Sequence, residues 1–256
     1  MLLDAVATHD HWNYYGFISI FPPMHPLDNP IWEALTTRQT HFAEAHHLAR
    51  RFTPEVSALG AISAPTLEGY ESLVGLLGGD GVVAVLFDEI PQPPAGLIQL
   101  DQFPLLQMVY ETGDASGMAD TLSKSTVELI ELTGADVPEM CALAELTKPG
   151  PFSRRTRELG TYLGIRRDGK LVAMSGERMR LPGYTEVSAV CTHPDHTGHG
   201  YARVLMAAVM KGILERGERP MLHVRAENVR AIDLYRRIGF TVRRGFKMGL
   251  FRRETT

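Results

Sequence analysis

The stretch from Val190 to Ala202 constrains this chain more than any other. Val190-Cys191-Thr192 closes a β-prone run that starts at Glu186. His193 to His199 form a polar loop with glycines at 198 and 200, and residues 200–216 then read as one helix ended by Gly217. Gly217 suits the left-handed position after a helix. A strand that turns through glycines into a long helix needs a sheet for the strand and a face of that sheet for the helix, which points to an α/β layer fold. The free amides at such a helix start also form an anion site, aided by the helix dipole, and the glycines let the backbone approach a phosphate closely. The dinucleotide fingerprint is absent, since Arg203 stands where its third glycine would be. No Gly-Lys-Ser/Thr follows either, so the segment is not a P-loop. On this segment alone, a phosphate cradle and a purely structural tight turn both remain open.

The neighbouring segments extend the pattern. Val127 to Leu132 alternates as a strand, and Thr133 with Asp136 resembles a capping box that opens a helix to about Leu146. Tyr162–Arg167 and Leu171–Arg178 read as strands about an Asp168-Gly169 hairpin turn. Met221–Arg225 is a strand, Val229–Arg237 a short helix stopped by Gly239, and Phe240–Phe251 a last strand. The order is β-α-β-β-β-α-β-α-β, a mixed sheet and not a doubly wound one. The first half is less regular. Ile18-Ser19-Ile20 suits a short strand before Pro22, Pro23 and Pro26. The spacing of Ile31, Leu35, Phe42, Ala45 and Leu48 predicts one amphipathic helix over residues 30–50, with Asn29 as cap and Pro30 at its first position. A second helix is expected from Thr66 to Leu77, then strands at 81–87 and 97–100 around a Pro91–Pro94 turn. The small, polar run from Thr112 to Ser125 marks a domain boundary, giving domains 1–120 and 121–256.

Composition bounds the function. The 256 residues are 44% apolar and 22% charged, which excludes a disordered chain. No stretch approaches the roughly 20 apolar residues of a membrane helix. Met1 to Asp10 is acidic, so no secretory signal is expected, and two cysteines, Cys141 and Cys191, make neither a disulfide framework nor a zinc pattern. A cytoplasmic location is the expectation. Residues 1–150 carry five basic and twenty acidic side chains, whereas residues 151–256 carry twenty-one and ten. The halves attract each other, or the basic half meets phosphates, or the acidic half meets a cationic ligand. The arginines are scattered and not interleaved with aromatics, so no nucleic-acid partner is expected. His193, His196 and His199 have no supporting acidic or cysteine set beyond Asp195, and no metal site is expected.

Two motifs together resemble those of the GNAT superfamily of N-acetyltransferases. The first is Thr197-Gly198-His199-Gly200-Tyr201-Ala202, which matches Gln/Arg-x-x-Gly-x-Gly/Ala in its glycine and alanine positions but has no long side chain at its start. The second, Asn228 to Phe240, matches Asn-x-x-Ala-x-x-Leu-Tyr-x-x-x-Gly-Phe in full. Within the superfamily the chain is similar to the glycine N-acyltransferase-like branch, a similarity that includes Asn29-Pro30-Ile31-Trp32 and the following residues. The resemblance implies a mixed, mostly antiparallel sheet flanked by helices, a degenerate N-terminal copy of the same fold and one cofactor site.

It also implies roles. Backbone groups of Val190, Cys191 and Thr192 would pair with the pantetheine arm of acetyl-CoA, and an amide there would donate to the oxyanion. The loop Thr197, Gly198, His199, Gly200, Tyr201 and Ala202, with Arg203, would hold the pyrophosphate. Asn228 would bond the arm, and Tyr235 would protonate the departing thiolate. Glu186, fourteen residues before Gly200, is the candidate base, with desolvation expected to raise its pKa; Glu177 and Tyr184 are reserves. The function implied is direct acetyl transfer from acetyl-CoA to a small-molecule amine in a ternary complex, by a monomer or homodimer. An acyl-CoA-binding sensor without turnover, or an interaction protein with a merely structural glycine loop, are the competing readings.

Overall fold

The computed structural model describes residues 25–78, 81–89, 93, 95–111 and 115–254. The strand expected around Ile18–Ile20 and most of the Pro91–Pro94 turn lie outside the described residues. Eleven strands form one mixed sheet among them: β1 Ala43–His46, β2 Ala49–Phe52, β3 Leu59–Ile62, β4 Val82–Phe87, β5 Leu97–Tyr110, β6 Ile130–Glu131, β7 Tyr162–Arg167, β8 Lys170–Leu181, β9 Tyr184–Thr192, β10 Arg219–Arg225 and β11 Phe240–Arg253. The helices are α1 Pro30–Thr36, α2 Leu67–Leu76, α3 Ala115–Ser123, α4 Val137–Thr147, α5 Tyr201–Glu215 and α6 Val229–Ile238. None is long and apolar enough to cross a membrane.

The sheet order is β1-β2-β3-β4-β11-β5-β10-β9-β8-β7-β6. Each half of the chain runs through three antiparallel strands, a helix, and a fourth strand parallel to the third: β1-β2-β3-α2-β4 and β7-β8-β9-α5-β10. The last strands are exchanged. β5 pairs with β10 of the second half and β11 with β4 of the first, while β5 and β11 run antiparallel to each other over nearly their whole length. The halves thus share one topology and one sheet, which is continuous across residue 120. Among the described residues, the second half alone inserts a helix, α6, before its last strand.

Alternation along the strands divides the core. Met108 packs with Met206, Val209, Met210 and Ile213 of α5, while its neighbour Val109 packs with Leu27 and with Ile31 and Leu35 of α1. α4 contributes Met140 and Leu143 against Tyr162, Met174 and Cys191.

The second half follows the expected element order throughout, although the strand expected over 127–132 shortens to Ile130–Glu131. The Thr133–Asp136 capping box is present but opens a single 3-10 turn that leads into α4. The helix expected over 30–50 is corrected: it stops at Thr36, and residues 43–52 form a hairpin. Asn29 does not cap α1 with its side chain. Its amide donates instead to the Ile62 carbonyl at 2.8 Å, tying the helix start to β3.

Candidate active site

β9 and β10 are parallel and paired over only three positions, Tyr184–Arg219, Thr185–Pro220 and Glu186–Met221. Beyond these the two strands part while each continues, β9 to Thr192 and β10 to Arg225. β9 is also bulged here. Met174 faces Cys191 and Gly176 faces Ser188, so Ala189 and Val190 together stand opposite Ser175 alone. Ala189 takes φ +51, a left-handed conformation that a non-glycine residue adopts only when its surroundings fix it. The parting leaves backbone edges of β9 and β10 facing a cleft of about 1170 Å³.

The loop after β9 ends at α5. Gly198 and Gly200 have φ +86 and +75, and no atom lies within 4 Å of the β-carbon either would carry. Glycine is needed there for conformation and not for space. No side chain caps α5; the Arg203 amide meets the Gly200 carbonyl at 3.1 Å, and the amides before it are left for a ligand or water. The Thr197 hydroxyl donates to the Pro194 carbonyl at 3.0 Å and steadies the preceding turn. At the corresponding point of the first half, the Thr66 hydroxyl accepts from the Gly69 amide and caps α2.

Of the expected binding residues, Val190, Cys191, Thr192, Thr197, Gly198, Gly200, Tyr201, Ala202, Arg203, Asn228 and Tyr235 all line the cleft. His199 does not; its ring stacks on Tyr201 with centroids 5.4 Å apart. Asn228 caps α6, its carbonyl accepting from the Ala231 amide at 3.1 Å. Tyr235 packs against Phe240, and burial pushes its hydroxyl up to about 12, with Cys191 close by. Cys191 is buried, which raises its thiol to about 11.

Glu186 is fully buried and does not line the cleft. Burial alone raises its pKa, but the charge and two hydrogen bonds of Arg178, at 2.7 and 2.8 Å, with a third from His223 at 2.8 Å, outweigh burial and hold it at about 2. The expected upward shift is therefore corrected. A carboxylate held this low is a weak proton acceptor at neutral pH. Glu177 is engaged by Arg216 at 2.8 Å, and Tyr184 lies against His25.

Arg178 and His223, which do line the cleft, went unnoticed in the sequence. A tight turn at Pro182-Gly183 would set Met179 opposite Glu186. A bulge in β8 between Glu177 and Arg180 brings Arg178 there instead, and only the folded register shows it. Beyond this ion pair the cleft floor is apolar, with Leu59, Ala84, Leu105, Met248 and Leu250. Asp101 and Glu145 are the carboxylates that line it among the described residues. Elsewhere acid of the first half meets the second half directly: Asp28 pairs with Arg243 and Arg244, Asp88 with Arg244, Glu89 with Lys247 and Glu111 with Arg219.

A crystal structure from Novosphingobium aromaticivorans, of a protein assigned to the GNAT acetyltransferase family, is 38% identical over 90% of this chain and 100% of that one, with a TM-score of 0.80. This chain belongs to the GNAT family. A family model described as FR47-like protein matches residues 162–247. A GCN5-related N-acetyltransferase from Kribbella flavida (15% identity, 90% of this chain and 94% of that chain, TM-score 0.54) shares the fold. So does a tandem GNAT protein from the clavulanic acid biosynthesis pathway (12%, 79% and 77%, TM-score 0.51). No curated protein matches the chain.

Proposed function

We propose that this GNAT protein is an N-acetyltransferase that moves the acetyl group of acetyl-CoA directly to a small-molecule amine, both substrates being bound together. The parting of β9 from β10, beside a bulge and an uncapped helix start in one cleft, carries the reading. Open strand edges suit an extended amide-bearing arm, and the α5 amides suit its pyrophosphate. Acetyl-CoA supplies the activated carbonyl. The backbone of Val190 and Cys191 at the bulge supplies amide donors toward its oxygen. Tyr235, protonated throughout the neutral range, donates to the leaving sulfur. Cys191, with its thiol held at about 11, stays protonated and has no nucleophile's role, which favours direct transfer over an acyl-enzyme. The acceptor's ammonium proton passes to water in the open cleft, because Glu186 is ionised and engaged. The capped α2 of the first half favours a single cofactor site, in the second half. We place the chain beside the glycine N-acyltransferase-like branch on its N-terminal motif alone.

Calorimetric titration with acetyl-CoA, with dephospho-CoA and NADH as controls, tests the cofactor, and thiol release across an amine panel tests transfer. Saturable micromolar binding followed by amine-dependent release is expected. The engaged Glu186 favours one competitor, an acyl-CoA sensor, which would bind acetyl-CoA yet release no thiol with any amine.

A further inference from the structure

We propose that Arg178 selects the acceptor, and that the acceptor is an α-amino carbonyl compound: an amine with a neutral carbonyl oxygen beside it on an apolar body. This rests on the acetyltransferase reading for its role and on the following geometry for its chemistry.

Arg178 is 9% exposed and its Nε and Nη2 are spent on Glu186. Its Nη1 has no hydrogen-bond partner among the described residues. A β-carbon placed on Gly150 would stand 4.0 Å from Nη1, so this amino group points at the cleft-lining loop after α4. A buried guanidinium with one donor group left toward a cleft is a fixed, oriented acceptor-seeking site. It is fixed because every group behind it is committed. Arg243 only donates, so the Gln107 atom it meets at 2.9 Å is the amide oxygen. The Gln107 amide nitrogen then donates to the Leu27 carbonyl and to His223 Nε2, and His223 Nδ1 donates to Glu186. Arg178 and Glu186 carry one positive and one negative charge, which cancel. A carboxylate brought to Nη1 would have to shed its water to meet a guanidinium already neutralised by Glu186, whereas a carbonyl oxygen has far less hydration to lose.

Position agrees. Gly176 faces Ser188 at the bulge, and Arg178 lies two residues along β8, roughly 7 Å away. The nitrogen and carbonyl oxygen of one α-amino carbonyl unit span about half that, so the amine can face the bulge while its carbonyl meets Nη1. Leu59, Ala84, Leu105, Met248 and Leu250 offer the rest of the molecule an apolar wall.

The test compares L-phenylalaninamide, L-phenylalanine and 2-phenylethylamine, which share the amine and the apolar body and differ at the carbonyl. Each is titrated calorimetrically into the full-length protein, alone and with coenzyme A, and assayed for thiol release from acetyl-CoA. The amide should bind roughly tenfold or more tightly than 2-phenylethylamine, as expected for one hydrogen bond to a charged group. That ratio should fall to within about twofold in Arg178→Lys, and in the charge-neutral double variant Arg178→Met with Glu186→Gln should the first not fold. A tripeptide beginning with phenylalanine that binds as well as the amide identifies a peptide N-terminus as the source; its exclusion identifies a small amide. Equal affinity for amide and amine, tighter binding of the free acid than of the amide, or an unchanged ratio in a folded variant would overturn the proposal. Thiol release with none of the three compounds nor with any amine of the panel would remove the acetyltransferase reading, while the binding ratio would still judge the Arg178 contact.

Discussion

Tyr235 and Glu186 show how one effect can end in opposite shifts: burial raises both acids, and at Glu186 the Arg178 charge and hydrogen bonds reverse it. Tyr235 has no cation beside it, so desolvation keeps it protonated to about 12. Tyr235→Phe removes that proton and nothing from the glycine loop before α5. We expect turnover to fall about a hundredfold with acetyl-CoA affinity unchanged, measured by thiol release and calorimetry. Glu186 has its pKa depressed from 4.5 to about 2. Its contribution to stability is therefore complete above the unfolded value and lost as pH falls from about 4.5 toward 2. Thermal melts across that window should show the loss. Glu186→Gln should flatten the slope there and cost about 3 kcal/mol at pH 7, because Arg178 is left buried without a counter-charge. With Glu186 unable to titrate near neutrality, the rising limb of kcat/KM against pH should follow the acceptor. Two amines of different pKa should give two shifted profiles; a limb that stays in place would mean that the protein supplies a base.

Among the elements, the two helices that follow the third strand of each half differ at their starts. α2 satisfies an amide with Thr66, while α5 begins with Gly200 at φ +75 and no side-chain cap. Gly200→Ala meets no steric obstacle but must hold a left-handed conformation, costing about 1–2 kcal/mol. We expect a small drop in melting temperature and a larger loss of acetyl-CoA affinity, because the amides rotate out of line. The helix expected over residues 30–50 failed for a reason proper to elements. Ile31 and Leu35 do lie on one buried helical face, but Phe42 is buried from a 3-10 turn, Ala45 is exposed on the first strand of the hairpin and Leu48 stands in its turn, and a 3.6-residue period cannot tell several short elements from one long one.

For the molecule as a whole, the exchange of β5 and β11 is the decisive feature. Without β5, β10 loses one neighbour and β11 loses its longest partner, exposing Met108's contacts under α5. Residues 121–256 expressed alone should therefore be insoluble or molten by circular dichroism and proteolysis. Residues 95–256, which restore β5, should recover a cooperative transition at least in part. A fragment 121–256 that melts cooperatively would mean that the second half folds by itself. The opposed charges of the halves fit this joint sheet: acids at 28, 88, 89 and 111 meet cations of β10 and β11, and contribute little elsewhere at the cleft.

The sequence by itself determined the second half. Glycines at 169, 198, 200, 217 and 239 sit where φ is positive, and the caps and apolar periods there are local signals, legible within a turn or two. The glycine loop before α5 and the Asn228–Phe240 motif were legible for the same reason. Only the tertiary structure determined the strand exchange, the bulges in β8 and β9, and the pairing of Arg178 with Glu186 and His223. Each depends on the register between strands from distant parts of the chain, and register is set by the packing of the whole sheet and leaves no mark on either strand alone.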